Sequence, residues 1–453
     1  MGTANLLPLA LAPGLHLAAT DDPTDYLHQA VLGAGRGAEW PAQAFPVAIQ
    51  RVGIVGAGAM GIGISRSFLD AGIAVVLLDC SAQALEQGQA RLREAFETAR
   101  RKGRLIAPEM AERMALLQPT LAWKDLATCD WVIETVYENL ALKQEVMTRL
   151  GRVCKPGAVI ASNTSTLDLD ILAHASGRPQ DVVGMHFLAP AHVRPLVEVV
   201  RGAASSARSL FVAREVARLL RRIPVQSSVG FGFTGNRMLD GMLREADFLL
   251  MEGVSPQRVD RALEEFGFAT GPCRMMDLIG LDVCHQVLTE RTRALRPVDH
   301  PAYRRLTRRL HALGRLGQKS GCGYYRYQGR QALPDAAVGQ LAAALAERHG
   351  VVRRRSVNDD EIVRRCLYPL VNEGLRLLAE GRVQRASDID LIWTYGYGFP
   401  QAKGGPMHWA SRLAEDTLES GMRAFARRFG DNFGYWTPAA QPRGEQASAR
   451  RRS

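Results

Sequence analysis

The sequence predicts an α/β domain built on a parallel sheet, followed by two all-α domains that repeat one another, and three observations predict it. Apolar runs of strand length alternate with helical stretches over about residues 50–228. After Gly230 the strand signals fade and helical spacing takes over. The helical half then shows one set of landmarks twice.

In the first domain, Val52 to Val55 leads into a glycine-rich turn and a helix, and a second apolar run, Ala74 to Leu78, ends in Asp79. That is one βαβ unit. Runs at Trp131 to Val136, Ala158 to Ser162 and Val182 to Phe187 extend the parallel sheet. In the second half Met238, Leu239, Met242, Leu243, Ala246, Leu249 and Leu250 fall at helical spacing. The landmarks Leu249-Leu250, Glu252-Gly253, Asp260, Gly267 and Gly271-Pro272 return as Leu377-Leu378, Glu380-Gly381, Asp390, Gly398 and Gly405-Pro406. Leu-rich helices resemble one another by chance, but the shared order of landmarks favours duplication. The expected partition is a leader or linker over 1–49, the α/β domain over 50–228, a first helical domain over 229–328, a linker over 329–355, a second helical domain over 356–430 and a basic tail over 431–453. A short helix is expected near Tyr26 to Leu32 within the leader.

A chain of 453 residues exceeds what one core usually supports, and 47% hydrophobic with 23% charged residues is the composition of an ordered globular protein. The charge of +11 comes mainly from arginine, with clusters at Arg353 to Arg355 and Arg450 to Arg452. No nucleic-acid-binding signature accompanies them, so solvated charge and an anionic small substrate are preferred to a nucleic-acid partner. The seven cysteines are scattered without metal-ligand spacing, which predicts no metal site and a reducing compartment. The apolar stretch Leu6 to Ala12 has no preceding basic residue, and no run approaches the roughly 20 residues of a membrane span. The expected location is the cytoplasm.

Gly56-Ala57-Gly58-Ala59-Met60-Gly61 supplies G-x-G-x-x-G between a β-branched strand and a helix, the fingerprint of a dinucleotide-binding Rossmann domain. Gly56 permits the tight turn, Gly58 lets the backbone approach a pyrophosphate, and Gly61 lets helix and strand pack closely. Asp79, at the end of the second strand, offers a carboxylate to the ribose hydroxyls and repels a 2′-phosphate, so the expected cofactor is NAD rather than NADP. His186 ends one apolar run and Glu198 sits in the next. From the residues alone this is either a base with its orienting carboxylate, joined by a hairpin-like return, or a core histidine beside a surface glutamate.

The segments Ala161 to Ser165, Gly184 to Phe187, Leu196 to Val200 and Gly232 to Arg237 are together very similar to the 3-hydroxyacyl-CoA dehydrogenase family. The likeness continues through Met275 to Leu278, Leu316 to Gly321, Gly396 to Pro400 and Gly404 to Pro406, over about residues 50–425. It resembles most the dehydrogenase half of multifunctional fatty-acid oxidation proteins, with two C-terminal helical domains of that family. The resemblance implies NAD-dependent oxidation of a 3-hydroxyacyl-CoA to the 3-oxoacyl-CoA in fatty-acid β-oxidation. It further implies that His186 is the general base, Glu198 its orienting partner, and Ser165 and Asn236 the groups that meet substrate and nicotinamide, although a turn serine and a helix-capping asparagine are alternatives for the last two. Met60, Val136, Tyr137, Glu138, Lys143 and Ser165 are implied as cofactor contacts, and Tyr395 as a substrate contact or else a packed core aromatic.

Two departures stand out. Ala189 occupies a position where the family usually carries Asn or Ser, which removes one polar contact near the nicotinamide. The alternatives it opens are a catalytically weak NAD-binding subunit docking on a hydratase or thiolase, or a dehydrogenase for another 3-hydroxyacyl substrate, in polyester or aromatic degradation. Residues 1–49 are also too few for the hydratase domain of the multifunctional proteins, so no hydratase activity is expected and a separate hydratase or thiolase chain is the candidate partner. The duplicated helical domain implies a monomer or weak oligomer.

Overall fold

The computed structural model describes residues 22–414 and 417–439. The stretch Leu6 to Ala12 and the arginines 450–452 lie outside the described residues. Among the described residues no helix is long and apolar enough to cross a membrane.

The first half is an eight-stranded sheet in the order β3-β2-β1-β4-β5-β6-β7-β8. The strands are β1 (Arg51–Val55), β2 (Ala74–Leu78), β3 (Leu117–Thr120), β4 (Trp131–Glu134), β5 (Val159–Ser162), β6 (Val182–Phe187), β7 (Leu196–Arg201) and β8 (Ile223–Ser228). The nearly unbroken apolar sequences of β1, β2, β4, β5 and β6 reflect a sheet covered on both faces. The runs through β6 are parallel as expected, and β6 and β7 pair antiparallel, the hairpin-like return that would join His186 and Glu198. Residues 188–195 are too few for a parallel crossover, which needs about a dozen or more, so the chain must turn back on itself. The helix Ala207–Leu219 then provides such a crossover, and β8 runs parallel to β7. The two edge strands, β3 and β8, carry Pro119 and Pro224. Proline is tolerated at a sheet edge, and it also hides both strands from a reading by strand pattern.

In the helical half, Gly235–Met251 packs against Asp359–Ala379, and Met238, Met242 and Leu249 share one core with Leu367, Leu370 and Val371. Arg365 crosses between these helices, fully buried, with Glu245 at 2.8 Å and Glu252 at 2.7 Å. The repeat landmarks do the same work twice. Asp260 accepts from the backbone N–H of Cys273 (2.8 Å) and Arg274 (3.0 Å) at the start of Pro272–Ile279, while Asp390 accepts from Met407 (2.7 Å) and His408 (3.0 Å) at the start of Pro406–Ser411. A β-carbon on Gly271 would lie 2.2 Å from Asp260 Cα, and one on Gly405 2.4 Å from Asp390 Cβ. Each Gly-Pro therefore lets a helix N-terminus close onto a buried aspartate.

Described parts of the expected leader, linker and basic tail are built into the fold. The helix Pro23–Gly33 buries Leu27 and Ala30 in the helical core, and the following turn is held by Arg214 and Arg218, which donate to the Gly35 carbonyl. Residues 329–355, expected as a linker, contain the helix Ala336–His349, which buries Val338, Ala342 and Ala346. Its cap signals were present in the sequence, with Asp335 accepting from Ala337 N–H and Gly350 left-handed at the C-terminus. Arg354 of the basic cluster is tied to Glu252 and Glu361. In the expected tail, Trp436 packs on Phe425 and Phe429.

Candidate active site

The glycine loop takes the conformation its sequence requires. Gly56 has φ +106°, which favours glycine, and a β-carbon on Gly61 would lie 1.9 Å from the Gly56 carbonyl oxygen. A β-carbon on Gly58 would meet nothing within 4 Å, so the space above the helix Ala59–Asp70 stays open where its first-turn N–H groups point. Asp79 Oδ2 accepts from Ala57 N–H at 2.8 Å and Oδ1 from Ser81 N–H at 3.1 Å. Loop and strand end are thereby locked together beside a carboxylate. An open cradle, a helix N-terminus and an acidic residue followed by Cys80 and Ser81 rather than an arginine fit a dinucleotide without a 2′-phosphate.

A cavity of about 350 Å³ lies between the ends of the parallel strands and the helical half. Its walls include Met60, Ser165, His186, Ala189 and Asn236, and an apolar side from Leu239, Val283 and Leu288. His186 on β6 and Glu198 on β7 are direct partners in the antiparallel register. Their side chains meet with Nδ1 to Oε2 at 2.7 Å, and Glu198 is wholly buried. The other carboxylate oxygen, Oε1, accepts from Ser227 Oγ at 3.1 Å and Thr234 N–H at 3.2 Å. An ionised carboxylate only accepts, so Nδ1 of His186 is the donor in this contact, and in the neutral imidazole that leaves the lone pair on Nε2.

Ser165 sits in a turn after β5 that is held by Glu138, which accepts from Ser165 N–H (2.9 Å), Thr166 N–H (3.2 Å) and the Thr164 hydroxyl (2.5 Å). Lys143 lies 3.4 Å from Glu138 and 2.8 Å from Glu134, almost entirely buried. Burial alone would raise the Glu138 carboxyl, but the Lys143 ammonium and the hydrogen bonds from Thr164, Ser165 and Thr166 hold it below its ordinary value. Burial likewise opposes the charge on Lys143, and Glu134 and Glu138 outweigh it, pushing that group up. Among the expected cofactor contacts, Val136, Glu138 and Lys143 line the cavity, and the last two also form the ion cluster that shapes its floor. Tyr137 does not line it: the side chain is largely exposed and its hydroxyl donates to Gln286 Oε1 at 3.1 Å. Gln286 in turn donates to the Glu138 carbonyl, so this loop touches the helical half.

Asn236, in the first turn of Gly235–Met251, donates through Nδ2 to the Ser165 carbonyl at 3.4 Å. Thr234, not Asn236, occupies the capping position. Of the two readings for Tyr395 the structure favours the packed core aromatic, since it is half-buried against the helical core and is not among the residues of the cavity wall. Its neighbour Tyr397 reaches the site instead, with its hydroxyl 2.9 Å from Asn236 Oδ1. Asn163, which lies inside the quoted motif but was given no role, accepts from Phe187 N–H at 3.0 Å and fixes the end of β6.

Residues 51–229 match the family model of the 3-hydroxyacyl-CoA dehydrogenase NAD-binding domain, and residues 232–327 and 362–447 match that of the C-terminal domain. The chain is 40% identical over 397 residues to the peroxisomal bifunctional enzyme of Danio rerio, covering 84% of this chain and 54% of the relative. It is 30% identical to the glyoxysomal fatty acid beta-oxidation multifunctional protein MFP-a of Brassica napus, covering 86% and 54%. The crystal structure of 3-hydroxybutyryl-CoA dehydrogenase from Escherichia coli shares the fold, with TM-score 0.76, 24% identity and coverage of 87% of this chain and 97% of that one. The chain spans about half the length of the curated relatives it matches. The expected cytoplasmic location is overturned by these peroxisomal and glyoxysomal relatives. Cysteine usage, on which that expectation leaned, bears on redox state and cannot tell cytosol from organelle. By its family matches over both halves, the chain belongs to the 3-hydroxyacyl-CoA dehydrogenase family and is an NAD-dependent dehydrogenase.

Proposed function

We propose that this chain oxidises a 3-hydroxyacyl-CoA to the 3-oxoacyl-CoA in fatty-acid β-oxidation, with His186 as general base. The observation that carries the reading is the buried His186–Glu198 pair, whose imidazole lines a cavity bounded by Met60 of the glycine-rich segment and the turn bearing Ser165. Nε2 takes the substrate hydroxyl proton, and Glu198 keeps the ring in the required tautomer and offsets the positive charge it acquires. NAD, when bound, accepts the hydride from the carbinol carbon. Ser165 and Asn236 orient the oxygen that becomes the carbonyl, while the apolar wall from Leu239, Val283 and Leu288 excludes water from the acyl chain. Gly56, Gly58, Met60, Gly61 and Asp79 hold the dinucleotide. Hydration of an enoyl-CoA supplies this substrate and thiolytic cleavage consumes the product, so the sites for those reactions are its functional partners.

Turnover of acetoacetyl-CoA with NADH, followed at the nicotinamide absorbance, is expected of the purified chain. His186→Ala should abolish it with NADH binding retained. NADH binding without turnover on any acyl chain length overturns the reading. Ala189 lines the cavity with no side-chain donor, so Ala189→Asn raises kcat if that contact limits the enzyme. Packing of the second helical copy on the first within one chain supports a monomer or weak oligomer, which light scattering measures directly.

A further inference from the structure

We infer that Tyr397, contributed by the second helical copy, is a positioning residue that fixes the side-chain amide of Asn236 for the reaction. The inference rests on the reading of Asn236 as a substrate-contacting group. A carbonyl oxygen only accepts, so the amide nitrogen of Asn236 must be the atom that faces the Ser165 carbonyl. Oδ1 then faces Tyr397, whose hydroxyl is the donor at 2.9 Å. Without that donor, rotation of the amide about its last bond would leave Oδ1 facing the Ser165 carbonyl, oxygen against oxygen. With it, one orientation is held and the amide N–H₂ keeps a hydrogen directed toward the cavity wall it shares with Ser165 and His186.

The tyrosine ring is itself held from two sides. Trp393 lies under it at 5.0 Å between ring centroids, and Trp393 is buried with its Nε1 donating to Met238 Sδ. On the other side the ring rests on Gly235, where a β-carbon would come within 2.2 Å of Cε2 and 2.5 Å of the hydroxyl oxygen. The small residue before Asn236 therefore makes room for a side chain from the other repeat. Burial and the nearby Glu198 carboxylate push the Tyr397 phenol far up, so it stays a protonated donor throughout the working range. Ile392–Tyr397 forms a wide π-helical turn, a local geometry that often marks a functional position. In this way the second helical copy supplies part of the active site as well as bulk against the first.

The experiment is a double-mutant cycle on the full chain with Tyr397→Phe and Asn236→Ala, assayed with NADH and acetoacetyl-CoA. Tyr397→Phe keeps the ring and should lower kcat/KM by about five- to tenfold, the effect of one neutral hydrogen bond, with NADH affinity unchanged. In the Asn236→Ala background the same substitution should have no further effect on kcat/KM. Gly235→Ala, which displaces the ring, should reproduce the defect of Tyr397→Phe. Full activity of Tyr397→Phe, or a loss that multiplies with that of Asn236→Ala, overturns the inference while leaving the proposed reaction intact. An Asn236→Ala enzyme with unchanged kinetics overturns the site assignment on which both rest.

Discussion

The hydroxyl of Tyr26 donates to Asp390 at 2.7 Å, and this bond joins the first described helix of the chain to the second helical repeat. In the first repeat the equivalent aspartate, Asp260, receives a hydroxyl at the same distance from Tyr325, which follows the Leu316 to Gly321 segment of its own repeat. The N-terminal helix therefore completes in the second copy what a local segment completes in the first. Arg385 reinforces the junction, donating to the Gly33 carbonyl and pairing with Glu39 at 3.1 Å.

Removing that hydroxyl tests the junction directly. Tyr26→Phe keeps the ring and leaves Asp390 with its two backbone donors, so a loss of about 1 kcal/mol in unfolding free energy is expected. Denaturant titration measures it, and kcat should not change, since neither residue lines the catalytic cavity. Unaltered stability would assign the helix Pro23–Gly33 to apolar packing alone.

Glu198→Gln probes the electrostatics of the dyad at nearly constant shape. The amide cannot offset charge on the ring, and its N–H₂ group either opposes the Thr234 N–H, donor against donor, or faces His186 Nδ1 and reverses the ring's tautomer. A fall in kcat of about 10²- to 10⁴-fold with little change in NADH affinity is expected from stopped-flow kinetics and fluorescence titration. A change confined to KM would place Glu198 in binding rather than in the chemical step.

Asp79→Ala should weaken NAD binding more than NADP binding, because it removes both the ribose acceptor and the repulsion of a 2′-phosphate. It also releases Ala57 N–H, so some loss is expected with either cofactor. Isothermal titration with the two dinucleotides reads the ratio, and equal weakening would leave Asp79 as a brace for the loop only.

Glu138 links stability to pH. Its carboxyl lies below its ordinary value in the fold, so its contribution is fully present above the unfolded value near 4.5 and is lost as pH falls through the lower folded value. Glu138→Gln should cost about 2 kcal/mol at neutral pH, the worth of hydrogen bonds to a charged group, and the gap should close on acidification. Thermal melts of both proteins across the acid range measure it. A gap that stays constant would show that the carboxylate's charge is not what orders the 164–166 turn.

The parts of the site that were legible in the sequence are those where chemistry follows from local chain geometry. Gly56 to Gly61 and Asp79 sit on a strand-turn-helix-strand unit whose spacing leaves little freedom, and the structure places them together at one strand end. His186 and Glu198 flank a loop too short for a crossover, so a return was legible, and the rung that pairs them awaited the register. Less was legible where partners are distant or patterns are masked. Pro119 and Pro224 concealed the two edge strands, and Pro334 with the arginine cluster drew attention from the Ala-rich helix Ala336–His349.

By itself the sequence determined the order of an α/β half and a helical half with repeated landmarks, and the dinucleotide loop, because each depends on residue type and near-neighbour spacing. Tertiary structure decided which groups from distant segments meet. It chose Tyr397 over Tyr395 beside Asn236, since a π turn changes which side chains share a face, and it seated Tyr26 on Asp390. Such meetings depend on how whole elements pack, and no local spacing encodes them.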